Sequence, residues 1–557
     1  MLKYLKGTRR CLLPPILVVM VALGCSTPSQ QPAGGPPLGD THAKQEPQRG
    51  GSLRIVGSVT GPGHNDPHLS AAGSGRDFSV PASNYLLRRD VFDENYSVVE
   101  DLAKSWDVSP DGLTYTFHLH EGVKYQNLPP VNGREFTSED AKYNLLRVTG
   151  DPSVVPEATR PKLQRKAEFG KINSVETPNK YTVTVKLKEP LASFLDAVAH
   201  PGTAMLPKEL VDQEQGTIQD LVIGTGPFML ADYKVDQNAV YRRNPEYFKK
   251  GLPYLDEVVM LKFSDLQAEL SAFRARQIDV SGSGLSPGSL QALQKDIPSI
   301  KVLQVPKANM YTVRFNMKFK PFQDVRVRKA IHLAIDRSQY VDVIGEGLGV
   351  VPGPVTPLYR DMAGSTDWLM SQPGYRKDKA QDLAEAKRLM QDAGYPDGFT
   401  VKTMTIPGRV GDAAILFDDQ VKPLNIVTKV EALEYAVFVS RSTQSDFELG
   451  FITFTLGTDV DSLLTSHLHS QGARNYGKYS DPVLDDLIEK QRRTVAVEER
   501  RRWAQEAEKR ILDQAPMLFL LTNVNIQIAQ PWVNNLSSGL LIGDTLLSVE
   551  KSWLDKH

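Results

Sequence analysis

Past position 25 this chain contains no cysteine. Its two cysteines, Cys11 and Cys25, both lie within the first 25 of 557 residues. The remaining 532 or so residues have no means of forming a disulfide, a thiolate metal site or a thiol nucleophile. They must be held by a buried apolar core, which a chain of this length can build. With 41% hydrophobic and 24% charged residues the composition is that of an ordinary globular protein, and the length predicts more than one lobe. A formal net charge of −1 gives no electrostatic case for binding nucleic acid or anionic lipid. Beyond the first 25 residues no run approaches about 18 consecutive apolar residues, so no later membrane span is expected.

The first 25 residues read as a processing segment. Lys3, Lys6, Arg9 and Arg10 precede an apolar stretch from Cys11 to Gly24, the layout of a secretory signal too short to span a bilayer. The run Val21-Ala22-Leu23-Gly24-Cys25 resembles the lipobox of bacterial lipoproteins, departing from it at Ala22, where that family usually has Leu. The resemblance implies cleavage before Cys25 and diacylation of its thiol, so that 1–25 is a signal peptide with lipobox. Thr8-Arg9-Arg10-Cys11-Leu12-Leu13 is close to a twin-arginine signal, which leaves the export route open. Residues 26–50, rich in Pro, Gly, Gln and Ser, have almost nothing to bury and are expected to be a flexible tether.

Folded sequence is expected from Gly51, where Ser52-Leu53-Arg54-Ile55-Val56 alternates as a strand. Asp101 to Val108 leads into the turn signal Ser109-Pro110-Asp111-Gly112, and Leu113 to Leu119 alternates again, which predicts a hairpin with one apolar face. Thr137-Ser138-Glu139-Asp140 offers capping hydroxyls and first-turn acids for a helix through Tyr143 and Leu146. Ala380 to Ala393 predicts an amphipathic helix stopped by Gly394, and Val483 to Ile511 is mostly helical. Strands and helices mixed in this way argue for α/β or α+β lobes, and no internal repeat is visible.

Several of these segments together resemble the extracellular solute-binding proteins of ABC importers, family 5, the oligopeptide/dipeptide/nickel-binding group. They are Asp101 to Arg147; Gly224-Thr225-Gly226-Pro227-Phe228 with Asn244 to Phe248; Pro321 to Arg337; Ala386 to Met390 with Gly394-Tyr395-Pro396; and Tyr479-Ser480-Asp481-Pro482. The resemblance implies an α/β, two-lobed, type II periplasmic-binding-protein-like fold with a hinge and an enlarged first lobe. Crossings are expected at 305–308 and 514–517. Lobe I then holds 51–306 plus 517–557, with 84–200 as an extra subdomain, and lobe II holds 307–516.

Some motifs point elsewhere. Gly284-Leu285-Ser286-Pro287-Gly288 fits the nucleophile-elbow pattern, with His332, His467 or His469 as conceivable bases, but its Gly and Pro equally suit a turn before a helix. The stretch 472–478 nearly makes a phosphate-binding loop but has Tyr479 where Ser or Thr is required. The pairs His64/His68, His118/His120 and His467/His469 are candidate metal edges, more simply read as ordinary histidines, and no metal or cofactor is expected. Arg500 to Arg510 carries Glu at helical spacing and reads as a solvated helix face.

Clefts between lobes are lined by strand ends and loops. Candidate ligand contacts are therefore Thr225 and Gly226 in a Gly-rich turn; Asn309, Tyr311 and Arg314 after the first crossing, beside Met310; and Asp459, with Asp461 second. In peptide-binding relatives the last region carries a Trp and an Asp near a Pro, and the Asp pairs with the peptide ammonium. Here the Trp and the Asp-Pro pair are absent, and Asp459 is the stand-in. The resemblance implies a monomeric, lipid-anchored capture protein at the outer face of the cell membrane or in the periplasm. It would hand an oligopeptide or similar solute to a permease and ATPase complex. An oligosaccharide or other non-peptide solute is the alternative, and a serine hydrolase using Ser286 a further one.

Overall fold

The computed structural model describes residues 46–557 except 58, 60–64, 71–76, 94, 219–220, 283, 357–358, 360–361, 456, 458, 538, 540–543 and 556–557. Cys25, the signal and most of the tether thus lie outside the described residues. No described helix is long and apolar enough to cross a membrane.

Ser52–Val56 forms the expected strand, with Leu53 and Ile55 buried on one side. It pairs in parallel with Glu257–Leu261, and Asn238–Arg243 and Phe228–Lys234 complete a four-stranded sheet. The predicted hairpin is present as Ala103–Val108 and Thr114–Leu119. Its turn is built by Asp111, whose carboxylate accepts from Leu113 N at 3.0 Å, and by Gly112 at φ 67°, a left-handed position that glycine adopts without strain. With Thr182–Leu187 and Ile172–Asn179 the hairpin makes a separate four-stranded sheet. Helix Ser138–Thr149 starts, as its sequence predicts, on Thr137 and the first-turn acids, here a capping box between Thr137 and Asp140, and it ends on Gly150 in the left-handed conformation.

A second large sheet, six-stranded, has the order Gly349–Val350, Met517–Ala529, Lys301–Phe315, Leu449–Thr455, Phe399–Thr405, Ile426–Ala432. Ala380–Asp392 is the expected amphipathic helix. The stretch expected to be one mostly helical run divides into Pro482–Arg493 and Val497–Gln514.

Two elements bridge the halves. Lys301–Phe315 and Met517–Ala529 are long strands paired antiparallel. At one end Leu303, Ile526 and Ile528 pack with cores that include Val280 and Phe273. At the other, Tyr311, Val313, Leu518 and Leu520 pack with Phe322, Ile331 and Phe417. Separate cores joined by two strands are the arrangement in which halves can move as bodies. With both cysteines ahead of the folded region, its unfolding temperature should be identical with and without reductant by calorimetry; a shift would reveal a surviving cysteine pair.

Candidate functional site

The ladder between the two long strands breaks where they pass from one half to the other. Register runs from Lys301↔Ala529 to Pro306↔Val524, then resumes at Met310↔Thr522. Pro306 has no N–H to donate, which explains part of the break. Polar side chains gather there. Asn309 Oδ1, Thr522 Oγ1 and Asn525 Oδ1 are buried with no hydrogen-bond partner among the described residues. Each such group left unpaired costs about 1–3 kcal/mol, so the junction holds hydrogen-bonding capacity that is unmet in this arrangement of the halves. Beside it Tyr311 is 5% exposed and its Oη lies 3.5 Å from Asn523 Nδ2.

Asp459 caps helix Val460–Leu463, its Oδ1 accepting from Asp461 N at 2.8 Å. Arg500 grips the same carboxylate, Nη1 to Oδ2 at 2.8 Å and Nη2 to Oδ1 at 2.5 Å. Burial alone would raise the Asp459 pKa; the Arg500 charge and its bonds outweigh that and lower it, and Arg89 from the first half adds to the effect. A carboxylate has about four acceptor positions, and among the described residues these three bonds leave one on Oδ2. Asp461 accepts from Thr465 Oγ1 at 2.7 Å and Gln491 Nε2 at 2.8 Å. Its pKa is raised by burial and then by the Asp459 charge. The halves touch close by: Ala192 N donates to Arg492 O at 2.8 Å, and Arg493 lies 3.3 Å from Glu189. Arg89 is held by an ion pair with Asp196 of its own half.

The remaining expected contacts are placed differently. Thr225 is buried and its Oγ1 donates to Asn84 Oδ1 at 3.1 Å. At Gly226 an added Cβ would stand 2.3 Å from the Ala82 carbonyl carbon, and its N–H donates to Ala82 O at 2.9 Å. The close backbone approach that glycine permits here is thus to the chain's own Val80–Ala82 turn. Arg314 lines another cavity, with His467 and Arg474. Ser286 caps helix Pro287–Asp296, accepting from Ser289 N at 3.1 Å and donating to Ser289 Oγ at 3.0 Å. His68 belongs to a buried pair of Arg147 and Asp66, His118 bonds Asp107 at 2.8 Å, and His120 packs on Phe248. His64 lies outside the described residues, among which no cluster of three or more His, Cys, Asp or Glu groups is suited to a metal ion.

Contrary to the expectation from its charged neighbours, Arg500 does not lie on a solvated helix face: it is 5% exposed. Arg500, Ala504, Ala507, Glu508 and Ile511 recur at helical spacing and form the buried stripe of Val497–Gln514. That spacing, read for position and not for charge, is the signal that would have found Arg500. Glu508 shares the stripe, accepting from Val355 N at 3.2 Å and Gly364 N at 2.8 Å. Burial pushes its pKa up to about 7, against the two backbone bonds. A carboxyl raised in the folded state keeps its proton where the unfolded chain has lost it. Its stabilising contribution therefore falls as pH rises from about 4.5 through 7. Glu508→Gln should flatten that part of the stability–pH curve measured by urea unfolding; an unchanged slope would exclude this origin.

A family model described as bacterial extracellular solute-binding proteins, family 5 Middle, matches residues 97–475. The chain belongs to this family. This family-5 protein is 26% identical over 500 residues to di/tripeptide-binding protein 1 of Pseudomonas aeruginosa (strain UCBPP-PA14), covering 86% of this chain and 90% of that one. Its fold is similar to that of HbpA2 from Haemophilus parasuis, with TM-score 0.77 and 23% identity over 91% of this chain and all of the other. It is also similar to DppA from Helicobacter pylori, an ABC transporter-associated periplasmic binding protein in complex with the peptide STSA, at TM-score 0.71 and 24% identity over 91% and 99% of the two chains. The family-5 protein is accordingly a two-lobed α/β solute-binding protein.

Proposed function

We propose that this chain is the substrate-binding component of an ABC importer, capturing a peptide-like solute between its lobes and delivering it to a permease and ATPase complex. The observation that carries the reading is the pair of long strands joining separately cored halves, with Asn309, Thr522 and Asn525 unbonded at their junction among the described residues. Lobe I holds 51–306 and the C-terminal segment, lobe II begins at 307, and 84–200 enlarges the first lobe. We place the return crossing at 522–525, where the pairing of Met517–Ala529 changes from one end of Lys301–Phe315 to the other, and not at 514–517. The free acceptor position on Asp459 suits a peptide ammonium, and its other bonds hold the carboxylate ready. The names of the P. aeruginosa and H. pylori relatives support the peptide class. Calorimetry with di- to pentapeptides and oligosaccharides tests it: heat from peptides is expected, and heat from sugars alone would overturn the reading.

The protein acts as a monomer anchored by a lipid on Cys25, at the outer face of the cell membrane or in the periplasm. The lipobox-like run and the apolar-poor stretch behind it support this. Cys25→Ser should move the protein from the detergent phase to the aqueous phase in partitioning, still folded. Unchanged partitioning would overturn the anchor.

A further inference from the structure

Most buried guanidinium groups among the described residues have oxygen acceptors. Arg147 pairs with Asp66, Arg500 with Asp459, and Arg337 donates to the carbonyls of Phe519 and Gly374. Arg314 differs. It is 9% exposed, yet among the described residues it donates to no acceptor and lies against no carboxylate. Its guanidinium carbon sits 5.3 Å from the Tyr476 ring centre and 5.9 Å from that of Phe454. Aromatic faces compensate a cation only partly, and a largely buried cation gains from a counterion.

Strand alternation puts it there. Tyr311, Val313 and Phe315 face one core and Met310 the other, so Arg314 shares the Met310 side, a core-facing position. The guanidinium borders a cavity of about 20 Å³, room for one water-sized occupant. His467, Arg474, Asn475 and Tyr476 also line it, and among the described residues no Asp or Glu does. His467 is 7% exposed and its Nδ1 has no hydrogen-bond partner among the described residues. Burial, then the charges of Arg314 and Arg474, lower its pKa well below the usual value, and burial brings that of Arg314 down to about 10. The cavity thus has a positive potential, with no acidic side chain among the described residues of its wall to neutralise it.

We propose that this cavity is a binding site for a small monovalent anion of the halide class, held between the Arg314 guanidinium and the His467 imidazole, with Arg474 at its edge. Chloride matches in size and needs donors and cations but no acceptors. The anion would tie the strand Lys301–Phe315 to the helical turn Leu464–Leu468 and the turn at 474–477, and would give the Arg314 charge a counterion. The site is separate from the strand junction, and it stands or falls independently of which solute the cleft takes.

The test is thermal unfolding of the full chain in sodium chloride, sodium bromide and sodium gluconate at equal ionic strength, with diffraction from crystals grown in sodium bromide. Halides should raise the midpoint saturably while gluconate does not, and bromide should give an anomalous peak between Arg314 and His467. Arg314→Met should lose the halide-specific shift. Where that variant fails to fold, His467→Phe should weaken the halide dependence at least tenfold. Equal wild-type midpoints in halide and gluconate, or a bromide peak with no shift in solution, would overturn the proposal.

Discussion

Replacing Asp66 with Asn should cost about 3–5 kcal/mol of stability, the range for stripping one partner from a buried ion pair. Asp66 and Arg147 are each 1% exposed. Arg147 donates to both carboxylate oxygens, at 2.6 and 3.2 Å, and also to Gly216 O at 3.0 Å. His68 completes the group, its Nδ1 accepting from Arg147 at 2.7 Å and its Nε2–H donating to Ala204 O at 2.9 Å. Burial, followed by the Arg147 charge, depresses the His68 pKa to about 3, so the ring is neutral in this role. Asp66 also accepts from the backbone of His68 and Ile218, so one carboxylate ties the 66–68 segment, helix Ser138–Thr149 and the 216–218 turn together. Burial acts to raise the Asp66 pKa, but the Arg147 charge and the bonds to it lower it. Its contribution is therefore present above pH 3.8 and lost as pH falls below that value. Urea unfolding measures the loss; a value under about 1 kcal/mol would assign this pair the weight of a surface salt bridge.

Asp459→Asn should weaken binding of free-amine peptides by about 2–5 kcal/mol, the penalty for removing one partner of a buried charged hydrogen bond. N-acetylated peptides should bind the wild type poorly and lose little on the same substitution. That contrast separates ligand recognition from damage to the protein, which the Arg500 bond makes an obvious concern. An equal loss for both peptide classes would remove Asp459 from the ammonium site and leave it a structural partner of Arg500.

Whether a feature is legible in the sequence depends on whether it is local. Thr137 with Asp140, Asp111 with Gly112, and the alternation of Ser52–Val56 each fix their own neighbourhood, and each is found as expected. The two-lobed fold is legible only through the resemblance of blocks of consecutive residues to one family, not through hydrophobic period or turn chemistry. The candidate site is otherwise. Thr225 and Gly226 read as a loop open to ligand, but the Val80–Ala82 turn closes over them, a contact between segments about 140 residues apart in sequence. Arg500 reads as surface because its neighbours are charged, and only the helical stripe shows it inside. Asn309 is visible from its place after a crossing, whereas Thr522 and Asn525 join it only through strand register.

A bound solute should draw the two lobes together about the 306–310 and 522–525 junctions. Small-angle X-ray scattering of the protein, alone and with a saturating peptide chosen by calorimetry, measures this directly. A smaller radius of gyration is expected with peptide, and no change when the two lobes are cross-linked in the closed state beforehand. An identical scattering profile with and without a peptide whose binding calorimetry has established would contradict closure of the lobes on the solute.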